Sequence, residues 1–356
     1  MALRAAAAAF RAATVPLRAV LAACVSLSPR AAGCALGILL LASCATRSAG
    51  AQIIAPALAP GAPAVLELTS TAFFSSREHQ YAPAALATML SASGVATSLP
   101  QLTSLMYFPS KHVSTQTELG LLPAKFSRLS YPIAPDLPVV LAELQAHRPV
   151  LVRQNSGRSL LSKWHFAVVI GYDARRDTLV LRSGPSRRQV MSASEFLRDW
   201  DNAERWAMLV LRPGELPAVA NRERYFAAAI QFSRTAPAAD ARLVFDAGLK
   251  RWPSDPAAWA GRAGVESKAG DLTAAARDYA TAVRMDGSYA QARNSLAMTL
   301  LGLGCVHSAQ SELDRITESA LPQTLRTSID GSREQVQSHA QQLTSREPSS
   351  CAPFTY

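Results

Sequence analysis

The sequence predicts an α+β domain in which helices come first and an antiparallel sheet second, followed by an all-α stack of helical repeats. Three observations carry this. An alanine-rich segment of helical character over residues 82–90 precedes a series of short β-branched runs between residues 149 and 211, separated by Gly, Pro and Asp turns. Beyond residue 217 the β pattern stops, and alanines and aromatics recur at a fixed step of 34 residues. The length, 356 residues at 49% hydrophobic and 17% charged, suits two domains with cores of their own. It excludes a disordered polymer and a multi-span membrane protein.

Residues 1–43 hold Arg4, Arg11, Arg18 and Arg30, no acid, and the apolar run 35–41, the pattern of a bacterial export leader. The run ends Leu41-Ala42-Ser43-Cys44, which resembles a lipobox. That resemblance implies cleavage before Cys44 and a triacylated cysteine that anchors the chain stably in a membrane. Ala45 in place of an Asp implies, by the same resemblance, a Gram-negative cell envelope and the outer membrane, facing the periplasm. An uncleaved anchor or an ordinary secretory leader is the alternative, though the apolar core is short for a membrane span. Because the stretch before the apolar run is long and alanine-rich, a start at Val25 is also expected, which mass spectrometry of the precursor checks.

Losing residues 1–43 lowers the formal charge by four, from +10 to +6. No aromatic–basic pattern of a nucleic-acid module appears, so no nucleic-acid partner is expected. The one local cluster, Arg182, Arg187 and Arg188, would suit an anionic lipid or cell-wall polymer. Cys44, Cys305 and Cys351 remain after processing and show neither metal-ligand spacing nor a disulfide framework, so no metal and no cofactor is expected.

Residues 44–63 are rich in Ala, Pro and Gly and read as a tether, which leaves 64–216 for the first domain. Residues 65–68 and 72–74 give a short strand. A helix then opens near Tyr81, tolerates Pro83 in its first turn and stops at Gly94. Further helices are expected at 99–106, from 115 toward Arg128, and at 137–147, where Leu137, Val140, Leu141 and Leu144 share a face. Strands are expected at 149–153, 164–173, 178–183 and 206–211.

The run Gln80-Tyr81-Ala82-Pro83-Ala84-Ala85-Leu86-Ala87 resembles the first helix of the papain-like double-glycine (bacteriocin-processing, family-39) cysteine peptidases, where an aromatic-Gln-Cys-Gly-Pro-Ala-Ala-Leu-Ala run opens the domain. Tyr81 stands in the place of the cysteine and Ala82 in that of the glycine. A cysteine there is activated by the positive end of the helix dipole. A phenol, with a reference pKa near ~10, is a poor substitute. Trp164-His165-Phe166-Ala167-Val168-Val169-Ile170-Gly171-Tyr172-Asp173 resembles the family's histidine strand, which implies His165 as the general base. The resemblance places the oxyanion-hole glutamine at Ser75 or Ser76 and the residue that orients the imidazole near Ser183, so both appear lost. Asp173 and Asp177 fall in the intervening hairpin as turn residues.

A peptidase scaffold of this kind implies a pseudopeptidase, since a cleft without a nucleophile can still hold an extended peptide. The alternative is a hydrolase in which Ser75 or Ser76 works with His165.

In the C-terminal half, Ala241, Ala275 and Ala309 are 34 apart, as are Phe245, Tyr279 and Leu313, and Pro253 and Gly287. Together with Trp259, Ala263, Gly270, Ala282, Leu296, Ala297 and Gly304 they resemble the tetratricopeptide repeat. That implies about three units over residues 217–340, the first degenerate and the last a cap, and a groove for a protein partner. Residues 317–340 read as a polar closing helix and 341–356 as a disordered tail.

Overall fold

The computed structural model describes residues 52–77, 80–106, 116–157, 162–317, 321–342 and 351. The leader, Cys44, Glu78 and His79 lie outside the described residues. In chain order the first part contains α1 (Ile54–Ala57), β1 (Val65–Glu67), α2 (Tyr81–Ala92), α3 (Leu99–Met106) and α4 (Gln116–Leu121), which passes into a 3₁₀ turn, Leu122–Phe126. There follow β2 (Leu129–Pro132), α5 (Leu137–Gln145), β3 (Val150–Asn155), β4 (Trp164–Asp173), β5 (Thr178–Ser183), β6 (Ser186–Ser192), α6 (Ala193–Asp201) and β7 (Ala207–Leu211). Helices then antiparallel sheet, as expected from the sequence, is the observed order.

The strands form one antiparallel sheet in the order β2-β7-β3-β4-β5-β6, with β1 added on β4. Period-two alternation along β4 sends Phe166, Val168 and Ile170 to one face and Ala167 and Val169 to the other. The first face packs on α2 through Leu86 and Leu90, the second on Val140, Leu141 and Leu144 of α5 and on Phe196 and Trp200 of α6. Gly171 lets β1 approach: a Cβ there would lie 2.4 Å from the Leu66 carbonyl oxygen.

The predicted helix from 115 toward Arg128 is shorter than expected, because Pro123 tightens its end into the 3₁₀ turn. Besides α1, three elements were not expected. Strands β2 and β6 are edges, so they lack the two-sided apolar pattern that marks the central strands. Helix α6 starts at Ser192, whose hydroxyl accepts the Glu195 N–H at 3.2 Å.

The stretch read as a tether is packed in its second half. Asp177, at φ 54 in the β4–β5 turn, accepts the N–H groups of Ile53 and Ile54 at 3.0 and 2.8 Å, and Ile54 is fully buried beside α5. The Tyr172 hydroxyl donates to the Pro63 carbonyl at 2.9 Å.

The repeats are helix pairs: α7 (Arg222–Ser233) with α8 (Ala238–Arg251), α9 (Pro256–Lys268) with α10 (Leu272–Met285), and α11 (Ala290–Gly302) with α12 (Val306–Asp314); α13 (Gln323–Gln342) closes the stack. The first pair is complete. Its core is continuous with the sheet: the Asn221 N–H donates to the Tyr131 hydroxyl at 3.1 Å, the rings of Tyr131 and Tyr225 stand 6.3 Å apart, and buried Glu143 accepts the Ala218 N–H at 2.7 Å. The small residues Ala241, Ala275 and Ala309 are all buried, which lets paired helices approach closely.

Asp271 caps α10 by accepting the Ala274 N–H at 3.0 Å. At the equivalent place 34 residues on, Cys305 begins α12 and its sulfur is bonded to Cys351. The cysteines thus form a disulfide that their spacing did not announce, and Cys351, within the expected disordered tail, is buried.

Between the first two pairs lies a charged network. Arg262 donates to Asp278 at 2.5 and 2.8 Å and to Asp246 at 2.7 Å, while buried Glu266 is 3.9 Å from both Arg242 and Arg262. One Glu266 oxygen has no partner, and burial with the neighbouring Asp278 pushes its carboxyl up to about 7.

Two outcomes follow from the repeat core. Cys351→Ser is expected to destabilise the end of the stack by about 4 kcal/mol, the chain-entropy value for a loop closed across ~46 residues, read as a lower chemical-denaturation midpoint. Because the Glu266 pKa is higher in the folded chain than its usual 4.5, its contribution is full below 4.5 and is lost as pH rises through about 7. Glu266→Gln should flatten that part of the melting-temperature profile between pH 5 and 8; an unchanged slope would remove Glu266 as its source.

Candidate functional site

Helix α2 forms because four alanines and one leucine follow Gln80 with no β-branched residue before Thr88. Pro83 falls in the first turn, where its missing N–H costs no helical bond. Residues 82–90 are buried without a break, so the position of the first residue, Tyr81, is fixed by the packing of everything behind it. At the other end the Ser93 carbonyl accepts from Arg128 and Arg212 at 3.0–3.2 Å, cations suited to a helix C-terminus.

Tyr81 and His165 are brought together. Their rings are 6.1 Å apart at 68°, an edge contact. Tyr81 also lies on Gly184, the residue after β5, which has φ +54; a Cβ on Gly184 would stand 3.2 Å from Tyr81 Cε1. A side chain at position 184 would crowd the Tyr81 ring, which would have to give way by a few tenths of an ångström, and would be strained by the positive φ. The cleft beside them is lined by Phe73, Phe74, Ser76, Tyr81, Arg182 and Ser183 among others, and about 10 Å³ of it is open to water, scarcely one molecule.

His165, half-buried at the start of β4, has its pKa lowered by burial; a hydrogen bond with the Lys163 backbone and the charge of Asp199 act in the opposite sense. Across the ladder it faces Gln154, fully buried, whose side-chain carbonyl has no partner. Ser75 is exposed and away from the cleft lining, whereas Ser76 is buried in it and its N–H donates to the Gly184 carbonyl at 3.1 Å. Ser183 is buried at the end of β5, opposite Ala167, and lines the same cleft.

Two participants escaped the sequence reading. Gly184 reads as an ordinary turn glycine, and only its contact with Tyr81 gives it a role. Arg182 was grouped with Arg187 and Arg188 as a surface cluster; instead it is 6% exposed and turned inward, while Arg187 and Arg188 are exposed and Arg188 grips Glu67 at 2.8–3.1 Å. Both faces of β5 are covered, so Arg182 is enclosed whichever face it takes.

Cys305 and Cys351 are joined in the repeat stack. Among the described residues no group of three His, Cys, Asp or Glu side chains could hold a metal ion, and no helix is long and apolar enough to cross a membrane.

No protein-family model matches the chain, and no curated protein matches it. Among solved structures it is similar to a chain described as a C39-like peptidase from Bacillus anthracis, at 15% identity and a TM-score of 0.36, over 42% of this chain and 98% of that one. It is also similar to the TPR2B domain of yeast Sti1 from its pHsp70 complex, at 19% identity and a TM-score of 0.29, over 34% of this chain and 98% of that one.

The burial of His165 is testable by its imidazole titration in NMR. The midpoint is expected below 6.5, so the ring is neutral at pH 7, and stability drawn from the neutral form is lost as pH falls below 6.5. Tyr81→Ala, which admits water to the ring, should move the midpoint back toward 6.5. A wild-type midpoint above 6.5 would contradict the burial described here.

Proposed function

We propose that the chain is a lipid-anchored pseudopeptidase of the cell envelope, which holds peptide or protein segments and does not cut them. The observation that carries this is the Tyr81 ring seated against His165 and Gly184 where a nucleophile would have to work. A phenol is a weak acyl acceptor beside a thiolate. The cleft behind the ring and the repeat stack are the two surfaces on which a segment would be held.

Anchoring through Cys44 and residence at the outer membrane, facing the periplasm, belong to the same reading. The Cys305–Cys351 disulfide supports export, since such bonds persist in oxidising compartments and are rare in the cytosol.

A hydrolase that uses Ser76 is the second reading, favoured by the place of Ser76 in the cleft lining. A fluorogenic peptide library and a fluorophosphonate label separate the two. The purified chain is expected to give neither turnover nor labelling; turnover that His165→Ala abolishes would overturn the pseudopeptidase reading.

A further inference from the structure

The cleft behind Tyr81 contains a charge that the fold leaves without a counter-ion. Arg182 lines it and is 6% exposed. A guanidinium stays charged at any working pH. Its Nη1 donates to the Arg187 carbonyl, and its Nη2 donates to the carbonyls of Thr69 and Thr71 at 3.2 and 2.9 Å. The Nε–H is buried with no partner at all. No carboxylate pairs with this guanidinium among the described residues, and the nearby Glu67 is held in a two-pronged grip by Arg188.

A buried charge paired with neutral carbonyls alone, with one donor idle, is costly and needs a reason. Burial and the charge of Arg187 depress its proton affinity, and Glu67 offsets this only in part. One more donor lines the same cleft. Ser76 is buried and its hydroxyl makes no hydrogen bond to a described residue, whereas that of Thr88 is spent on the Ala84 carbonyl at 3.1 Å. A guanidinium and a free hydroxyl beside the phenyl rings of Phe73 and Phe74 make a donor set with no acceptor of its own.

Such a set fits a carboxylate, which takes parallel N–H bonds from arginine and is a stronger acceptor than a peptide carbonyl. We propose that Arg182, with Ser76, is the subsite for the free C-terminal carboxylate of a peptide. This rests on the holding function given above and names its ligand class. Entry requires the Tyr81 ring to swing off Gly184; its hydroxyl makes no hydrogen bond to a described residue, so only ring contacts hold it. The carboxylate then takes Arg182 from the Thr69 and Thr71 carbonyls, which frees the segment that joins β1 to α2.

The test uses the full chain in detergent, immobilised, and two pools of random hexapeptides that lack Asp and Glu, one with free C-termini and one amidated. The free-acid pool is expected to be retained about tenfold or more over the amidated pool, the scale of hydrogen bonds to a charged group. Arg182→Met should erase the preference, and Arg182→Lys should keep part of it. Equal retention of both pools by the wild-type chain overturns the carboxylate subsite and leaves peptide holding intact. A preference that survives in Arg182→Met also overturns it. Retention of neither pool overturns both this subsite and the holding function.

Discussion

The burial of helix α2 on the central strands is the constraint from which the site follows. Nine consecutive buried residues, 82–90, leave the helix no freedom to rotate or slide, because either motion would expose Leu86 or Leu90 and open the face formed by Val168 and Ile170. Whatever residue opens the helix must meet the start of β4 and the end of β5. In this chain it is an aromatic ring, and the residue it meets at the end of β5 is the one type with no side chain. Two residues that look unrelated in sequence, Tyr81 and Gly184, are thus parts of one packing arrangement.

The sheet and the repeats are equally bound to each other. Tyr131 reaches the first helix of the stack by its hydroxyl and by its ring, and Glu143 satisfies the backbone that leads into it. The first repeat therefore has no free inner face: it is covered by β2, and the stack grows outward from the sheet. Charged residues enter this core too. Arg262 and Glu266 stand on α9, where Asp246 and Asp278 from the flanking helices surround the guanidinium and leave Glu266 the poorly served member.

Much of this was legible in the sequence, for physical reasons. Continuous apolar runs reveal central strands such as β4, which is buried on both faces, and repetition reveals the stack, since Ala241, Ala275 and Ala309 must each be small for the same reason. Edge strands β2 and β6 have no such pattern, because one side of each faces solvent or a helix. Helix α6 carries a signal of its own, the Ser192–Glu195 capping pair. The disulfide was hidden because Cys305 stands 46 residues from its partner, in a place where its neighbouring repeat has an aspartate. In the site, the aromatic and the histidine were visible by resemblance, whereas the inward turn of Arg182 was not, because charge alone argues for the surface.

Asp177 ties together parts of the chain that are far apart in sequence: at the tip of the β4–β5 hairpin it accepts from Ile53 and Ile54, 124 and 123 residues earlier. Because Ile54 is buried beside α5, loss of that one carboxylate would leave two backbone donors unserved and loosen the apolar side chain they hold in place. The same hairpin delivers β5 to the cleft, so a single turn residue staples the start of the described chain to the strand that ends at Gly184.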